Sequence, residues 1–344
     1  MPTIPEIEAL ARGFMASRIV LTAVELDLFG VLGDVRMNAR ALGNALKADA
    51  RGMERLADAL VSLGILLKDG GEYRNTPESL EYLSSRSAQY RGGALRHMAN
   101  LWKSWDRLTE VVRGGRAQEA SWSDAEQRAF IQAMEHGSKG IAEKLAATLD
   151  LSRARRVLDL GGGPGTFSIA MARRQPGLTA VVLDLPHALD VARVAVDEAG
   201  LSERVTLKEG DFFEDDLGSG YDLVLVSSII HSFDEVENLR LLARARDAIE
   251  PGGQLAIRDF LIDPTHTRPP HAAIFAVNML VNTRAGRTYS FPEVSDWLHQ
   301  LGLVDIQLKN LDERSQLIAA TKPRQQSREW ALRTERAEGG PSLL

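Results

Sequence analysis

The chain has 344 residues, of which 44% are hydrophobic and 26% are charged, and it contains no cysteine. This length and composition are typical of a globular protein with about two domains, and the lack of cysteine excludes disulfides, thiolate zinc sites and cysteine nucleophiles. A net charge of -6 and a pI of ≈ 5.7 give no overall attraction to nucleic acid or to anionic lipid. We therefore expect neither nucleic acid nor a membrane as a partner.

The first residues, MPTIPEIEALARGF, carry acidic side chains where a signal peptide would have basic ones. No stretch of the sequence approaches the roughly 18 consecutive apolar residues of a membrane span. Together with the lack of cysteine, which suits a reducing compartment, these features predict a cytoplasmic protein.

Residues 1–90 combine short amphipathic helices with one hairpin signal. The stretches FMASRIVLTAVELDLFGVL, ARALGNALKA and RGMERLADALVSLGIL have helical periodicity, and Asp69-Gly70-Gly71 is typical of a hairpin turn. Three helices and a hairpin predict a winged-helix domain. Because ten Lys and Arg accompany twelve Asp and Glu in residues 1–90, the domain lacks the basic surface of a DNA reader and is expected to form a dimer interface.

Residues 91–150 are expected to form a helical linker, after which the character of the chain changes. In residues 151–322 the apolar runs VLDL, AVVLDL, VTLKEG, DLVLVSSII and QLAIRDFLI alternate with helical stretches. This alternation is typical of a parallel, doubly wound sheet with helices on both faces. The sequence thus predicts an α/β protein with a Rossmann-like second domain and a polar tail at residues 323–344.

A glycine-rich bend, Asp159-Leu-Gly161-Gly-Gly163-Pro-Gly165, follows the first predicted strand of the second domain. Glycine lets the backbone turn sharply and approach a ligand closely, because a Cβ would intrude. A nicotinamide-binding motif would require glycine at Thr166 or Ser168, so a dehydrogenase is the weaker interpretation. A bend that holds no ligand is the structural alternative.

Acidic residues end the next two predicted strands. Asp184 closes AVVLDL about twenty residues beyond the glycines, where a carboxylate accepts hydrogen bonds from ribose hydroxyls, as it also does in dehydrogenases. Asp211 and Phe212 follow VTLKEG, and an acid beside an aromatic ring suits the amino group and the face of adenine. A place for Phe212 in the core is an equal alternative.

In this order, DLGGGPG, VVLDLP, EGDFF, SSIIHSFDE and PGGQLAIRD resemble the class I methyltransferases that use S-adenosylmethionine. The N-terminal pattern, FIQAMEHGSK and LVNTRAGRTYS resemble, more narrowly, the O-methyltransferases of the plant caffeate type and the bacterial polyketide type, which carry an N-terminal winged-helix dimerisation domain. The resemblance spans nearly the whole chain except its tail. It implies a homodimer that moves a methyl group from S-adenosylmethionine to a hydroxyl, phenolic in kind, of a small aromatic or polyketide-like metabolite.

The resemblance also implies which positions contact the cofactor and the methyl acceptor. The methionine part, the ribose and the adenine would be held in turn by Gly161 and Gly163, by Asp184 and Leu185, and by Asp211 and Phe212. Ser227 stands where the family often has a lysine near adenine. Candidates for an acceptor pocket, to which the helical linker contributes, are Trp102, Met134, Phe275, Asn278 and Met279. Plain packing is the alternative for each of these five.

His231 follows the run DLVLVSSII, at the carboxyl edge where open α/β sheets build their sites. A phenol with a pKa of ~10 is mostly neutral near neutral pH, and an imidazole with a pKa of ~6.5 can take its proton. The resemblance implies that His231 is the general base and that Asp259 orients it. A structural histidine at a strand end is the alternative. The family commonly has an acid at the position of Ser232, and its plant members have a second acid at that of Thr288.

Other functions stay open at this point. They are a carbon or nitrogen methyltransferase on the same fold, a regulatory winged-helix protein that binds the cofactor without catalysis, and a nicotinamide dehydrogenase. No cluster of oxygen ligands is apparent, so we expect no metal. Ser290-Phe-Pro-Glu293 predicts a helix capping box rather than a catalytic group.

Overall fold

A computed structural model describes residues 1–115 and 124–324, with few side chains described between 124 and 137. The chain divides into two compact units, Met1–Gly140 and Ile141–Leu344. The domain bounds expected from the sequence, at residues 90, 150 and 322, stay a prediction. Most of the predicted polar tail lies outside the described residues.

The first unit is mostly helical and carries a small antiparallel sheet. Its elements are α1 Ile4–Glu25, α2 Leu28–Leu32, β1 Met37–Asn38, α3 Ala39–Leu46, α4 Ala50–Ser62, β2 Leu66–Asp69, β3 Glu72–Asn75, α5 Pro77–Tyr82, α6 Gly92–Trp105, α7 Leu108–Gly114 and the start of α8 Asp124–Thr148. The prediction of short helices is wrong for α1, which runs unbroken for 22 residues. Its start is fixed locally, since the Glu6 carboxylate accepts the Thr3 N–H at 2.7 Å.

The hairpin predicted at Asp69-Gly70-Gly71 is confirmed. Gly70 and Gly71 link β2 to β3 with φ values of 55° and 84°, which only glycine adopts without strain. The sheet order is β1-β3-β2, and Tyr73 on β3 is buried in a core with Leu28, Phe29 and Leu60. The term winged helix stays our interpretation of this arrangement.

The second unit contains a seven-stranded sheet with helices on both faces. After α8 its elements are β4 Arg156–Leu160, α9 Thr166–Arg174, β5 Thr179–Asp184, α10 Pro186–Glu198, β6 Val205–Glu209, β7 Tyr221–Ser227, α11 Glu235–Ala248, β8 Ile249–Asp259, α12 Pro270–Asn282, α13 Phe291–Gln300, β9 Val304–Asn310 and β10 Gln316–Thr321. The strand order is β6-β5-β4-β7-β8-β10-β9. The chain order reverses between β4 and β7, which is the switch point where such sheets bind ligands.

The sheet departs from the prediction at one edge. As expected, five neighbouring strands run parallel, in the order β6-β5-β4-β7-β8. The strand β10, however, pairs antiparallel with both β8 and β9. The sequence analysis did not assign β9 and β10. A hairpin joins the two strands. They therefore lack the intervening helix by which the alternation of strands and helices indicated the other strands.

The strand predicted over DLVLVSSII is also shorter than expected. It ends at Ser227, because Ser228 adopts a φ of 58°, which is outside the strand region; the Ser228 N–H still donates to the Arg258 carbonyl on β8 at 2.8 Å. A 3-10 turn over Ile230–Ser232 then carries His231. The capping box at the start of α13 is confirmed, with the Ser290 N–H donating to the Glu293 carboxylate at 2.7 Å.

Candidate active site

The glycine bend lies at the switch point, between the end of β4 and the start of α9. Gly161 and Gly163 have φ values of 61° and 53°, in the left-handed region that favours glycine. A Cβ at Gly161 would come within 2.5 Å of Ile229 Cδ1, whereas a Cβ at Gly163 would meet nothing within 4 Å. The backbone at Gly163 therefore borders open space, as a ligand-binding bend requires.

Asp184 closes this bend from the end of β5. Its two carboxylate oxygens accept the N–H groups of Gly163 and Leu185, each at 2.7 Å. Burial raises the pKa of Asp184, and these two hydrogen bonds oppose that rise. Each carboxylate oxygen has a further lone pair, so the group can also accept hydrogen bonds from two ligand hydroxyls.

Asp159 is a buried carboxyl beneath the bend that the sequence analysis did not assign to the site. One oxygen accepts a hydrogen bond from the Ser168 hydroxyl at 2.8 Å, and the other has no partner among the described residues. Burial raises the pKa of Asp159 to about 7. The Ser168 hydrogen bond opposes this rise, and the nearby charge of Asp184 adds to it. The site therefore holds one carboxyl that is poised to titrate near neutral pH.

This raised pKa predicts a pH-dependent stability. Because the folded-state pKa lies above the unfolded value, the neutral carboxyl stabilises the folded state at low pH, and this contribution is lost as the pH rises through about 7. Asp159→Asn removes the titration. We expect its free energy of unfolding, relative to wild type, to rise by an amount on the order of a few kcal/mol between about pH 5 and about pH 8. Urea unfolding at both pH values measures this.

The exposed Asp296→Asn on α13 serves as the matched control. Relative to wild type, Asp296→Asn should change the free energy of unfolding by a similar amount at both pH values. A difference between Asp159→Asn and wild type that stays constant with pH would contradict the raised pKa.

Phe212 contacts both the bend and the core. Its ring lies 5.0 Å from that of Phe213 and 6.0 Å from that of Phe233, while a Cβ at Gly161 would be 3.5 Å from its Cε1 atom. The exposed Asp211 carboxylate accepts the Phe213 N–H at 2.7 Å, which shapes the turn after β6. The adenine and core interpretations of Phe212 are thus compatible.

Two further positions border this region. Ser227, at the end of β7, is buried, and its hydroxyl has no hydrogen-bond partner among the described residues. Leu185 leaves its apolar side chain 47% exposed directly after Asp184. A buried hydroxyl without a partner and an exposed leucine beside a carboxylate are features of a surface that a ligand completes.

His231 and Asp259 form a buried pair. His231 Nδ1 lies 2.7 Å from Asp259 Oδ1, which also accepts the Phe260 N–H at 2.7 Å. Burial would raise the pKa of Asp259, but the charge and hydrogen bond of His231, the Phe260 N–H and the charge of Arg258 together lower it. Asp259 is therefore ionised at neutral pH and orients the imidazole of His231 through its Nδ1 atom.

Aromatic rings enclose the imidazole. The Phe275 ring, on α12, meets it edge to face at 4.9 Å, and the Phe260 ring lies 6.1 Å away. Met279 is buried on the same helix, and the Asn278 amide oxygen accepts a hydrogen bond from Asn282 at 3.0 Å. Phe275, a predicted acceptor contact, thus adjoins the imidazole of His231, and Phe260 was missed by the sequence analysis.

The remaining two acceptor candidates belong to the first unit. Trp102 lies on α6, with the Arg18 guanidinium 5.7 Å from its ring centroid. Met134 lies on α8 and is 39% exposed. Their role in an acceptor pocket stays a prediction.

The turn that carries His231 is held by residues to which the sequence analysis gave no role. The buried Asn238, on α11, donates to the carbonyls of Ile230 and Phe233 at 2.9 and 3.2 Å, and the Tyr289 hydroxyl donates to the Phe233 carbonyl at 2.5 Å. A Cβ at Gly286 would overlap the His231 carbonyl oxygen. These contacts fix the backbone on both sides of the imidazole.

Comparison with known proteins gives the chain a family. Residues 105–303 match an O-methyltransferase domain, and residues 8–85 match an O-methyltransferase dimerisation domain. The chain belongs to the O-methyltransferase family. This O-methyltransferase is 35% identical to the 3-hydroxy-5-methyl-1-naphthoate 3-O-methyltransferase of Streptomyces sahachiroi over 307 residues. The aligned region covers 86% of this chain and 88% of that protein.

Other relatives have related names. The tetracenomycin polyketide synthesis 8-O-methyl transferase TcmO of Streptomyces glaucescens is 32% identical over 329 residues, or 93% of this O-methyltransferase and 97% of TcmO. The N,N-dimethyltransferase OxyT of Streptomyces rimosus is 30% identical over 271 residues, which are 75% of this chain and 78% of OxyT. The human N-acetylserotonin methyltransferase, solved in complex with S-adenosylmethionine, has a TM-score of 0.82 at 27% identity, covering 94% of this chain and 100% of that one.

These findings confirm the predicted fold class, with a helical N-terminal part and a Rossmann-like methyltransferase sheet, and the predicted use of S-adenosylmethionine. The described residues fit that cofactor, since the bend at Gly163 borders open space and the Asp159 carboxyl and Ser227 hydroxyl have free hydrogen-bonding atoms. Within residues 1–115 and 124–324, no group of three or more His, Asp or Glu is arranged to hold a metal ion. Over the same ranges no helix has the length and apolar character needed to cross a membrane.

Proposed function

We propose that this enzyme methylates a phenolic hydroxyl on a small aromatic or polyketide-like metabolite, with His231 as general base. The observation that carries the proposal is the buried pair at 2.7 Å, in which His231 Nδ1 faces Asp259 and Nε2 is left to accept a proton. Aromatic rings on two sides of the imidazole suit an aromatic acceptor. The names of the naphthoate and tetracenomycin relatives support the same acceptor class.

S-Adenosylmethionine supplies an electrophilic methyl group on a sulfonium. Attack by a neutral phenol is slow because the oxygen must lose its proton. His231 would remove that proton as the oxygen–carbon bond forms and the carbon–sulfur bond of the donor breaks, which releases S-adenosylhomocysteine. The imidazolium that results is stabilised by the ionised Asp259, whose other oxygen has no partner among the described residues. The remaining rate enhancement comes from alignment of the acceptor oxygen with the methyl group.

We further infer how the cofactor lies along the strand ends. The glycines at 161 and 163 would admit its methionine part, and Asp184 with the Leu185 backbone would hold the ribose. Phe212 and Asp211 would frame adenine, where Ser227 replaces the family's lysine with a shorter donor. The geometry of the bend and the partnerless Ser227 hydroxyl support this assignment.

A matched pair of acceptors tests the proposed chemistry. The wild-type enzyme with deuterium-labelled methyl donor should methylate 1-naphthol, detected by mass spectrometry, and should leave 1-naphthylamine unmodified. The ring is the same in both, so the comparison isolates the reacting atom. Preferential labelling of the amine would contradict O-methylation and would place the enzyme with relatives such as OxyT.

We also propose that the first unit forms the homodimer. Ile4, Ile7, Leu10 and Phe14 recur at helical spacing along α1 and are all exposed, Leu10 by 78%. An exposed apolar stripe on one helix face is stabilised by burial against a partner, and the match to an O-methyltransferase dimerisation domain supports a second copy as that partner.

Charges placed in this stripe should separate the subunits. We expect the double substitution Leu10→Glu and Phe14→Glu to shift the enzyme from dimer to monomer in light scattering coupled to gel filtration, because burying two unpaired carboxylates is costly. Val236→Glu, at a position 75% exposed on α11, is the control and should remain dimeric. A dimer that survives the double substitution would contradict the assignment.

A further inference from the structure

One cationic side chain near the base is not used by the proposed reaction. Arg258 precedes Asp259 on β8 and is only 8% exposed. Its Nη1 group donates to the Ser228 hydroxyl, and its Nε group has no hydrogen-bond partner among the described residues. Asp259 and Asp312 act on it electrostatically, but neither forms an ion pair with it within the described ranges. A buried guanidinium without a bound carboxylate is destabilising unless a ligand supplies one.

The guanidinium lies between the two ends of the active site. Its central carbon is 4.8 Å from the Phe260 ring centroid and 6.0 Å from that of Phe167. Phe260 packs against Phe275, which contacts the imidazole of His231. Phe167 is the second residue of α9, directly after the glycine bend.

These ring contacts do not satisfy the guanidinium. Cation–π contacts engage the face of the group, whereas its N–H bonds lie in its plane and still require acceptors. The planar arrangement of several N–H donors matches a carboxylate, which it can bind through two parallel hydrogen bonds. The Ser228 hydroxyl fixes one side of the group, while the buried Nε group has no acceptor among the described residues.

We propose that Arg258 binds a carboxylate in the active site. The proposal rests on the proposed function, because both sources of this group are reactants: the methionine part of the methyl donor carries a carboxylate, and so does an aromatic hydroxy acid as acceptor. The Phe167 side of the guanidinium adjoins the donor end, and the Phe260 side adjoins the base.

Two ligand pairs distinguish the sources. Isothermal titration calorimetry with S-adenosylhomocysteine and 5′-methylthioadenosine compares a cofactor product that has the amino-acid carboxylate with one that lacks it. Binding of 3-hydroxy-1-naphthoate and of its methyl ester makes the same comparison for the acceptor. Each ligand is measured with wild type, Arg258→Met and Arg258→Lys, and with Arg246→Met as a control at the far end of α11.

We expect Arg258→Met to weaken binding of one carboxylate-bearing ligand by ~10–100-fold, without weakening its carboxylate-free counterpart. Loss confined to S-adenosylhomocysteine assigns the donor carboxylate, and loss confined to the naphthoate assigns an acceptor carboxylate. Arg258→Lys keeps the charge but loses the planar donors, so it should fall between wild type and Arg258→Met.

Equal effects on both members of each pair, or no effect on either pair, would overturn the proposal. If Arg258→Met does not fold, judged by circular dichroism, the ligand comparisons with Arg258→Lys and with Ser228→Ala decide in its place. A wild-type enzyme that binds neither adenosyl compound would instead contradict the proposed function, and the naphthoate pair would still test Arg258.

Discussion

Replacing His231 with glutamine should lower kcat by roughly 10²–10⁴-fold, because the phenol then loses its proton without a positioned base. Glutamine keeps a side-chain amide of similar reach that can still hydrogen-bond to Asp259. Cofactor binding should be unchanged, since the proposed site of the methyl donor is formed by the bend and by Asp184 rather than by the imidazole. Initial rates with 1-naphthol and calorimetry with S-adenosylhomocysteine measure the two quantities on the same preparation.

The matched control is His299→Gln, which changes an exposed histidine on α13. It should leave both kcat and cofactor affinity at wild-type values. If His231→Gln keeps wild-type turnover, the proton is removed by another group or by water, and alignment alone accounts for catalysis. Equal loss of activity and of S-adenosylhomocysteine affinity would indicate a structural role for His231.

Asp184→Asn should weaken binding of S-adenosylhomocysteine by about 10²-fold. We expect this loss for two reasons. In the proposed site, a neutral amide replaces the charged carboxylate that accepts two hydrogen bonds from the ribose, and the amide N–H₂ of asparagine faces the N–H of Gly163 or of Leu185. At saturating cofactor, kcat should change much less than affinity, since Asp184 does not contact the reacting atoms in the proposed site. Calorimetry and a titration of methyl donor in the rate assay separate the two effects.

Asp190→Asn provides the comparison for this experiment. Asp190 is exposed on α10, six residues after Asp184, so the same change of charge is made without touching the bend. Its S-adenosylhomocysteine affinity should match that of wild type. An Asp184→Asn enzyme with unaltered affinity would remove the ribose assignment.

The His231 and Asp184 substitutions test two different roles. The His231 substitution addresses a role that the sequence suggested only through a family resemblance. The Asp184 substitution addresses a role that follows from position, since an acid at the end of the second parallel strand faces the switch point in any fold of this kind. The two predictions are independent. If the His231 prediction fails, the proposed cofactor site still stands, and if the Asp184 prediction fails, the proposed base still stands.

Several features were predictable from short stretches of sequence. The hairpin at Gly70 and Gly71 and the capping box at Ser290 depend on backbone angles and hydrogen bonds within about four residues. The bend at Gly161 depends equally on local angles. The hairpin turn and the capping box were confirmed because their stabilising contacts lie within the same short stretch of chain, whereas the bend is also held by the distant Asp184.

Other features required the folded chain. The end of β7 was wrongly placed because the apolar run continues through Ile230, although the backbone leaves the strand conformation at Ser228, whose φ is 58°. The antiparallel edge formed by β9 and β10 was missed because strand direction is set by sheet pairing rather than by composition.

By itself the sequence determined an α/β fold with a glycine bend after the first strand of the sheet, since strand and helix periodicity and glycine spacing are local properties. Only the tertiary structure brought His231 to within 2.7 Å of a carboxylate 28 residues away, placed aromatic rings beside it and left Arg258 buried with no ion-pair partner among the described residues. Those distances depend on how β7, β8 and α12 pack. Packing is decided by contacts between residues far apart in the chain, which a linear pattern does not contain.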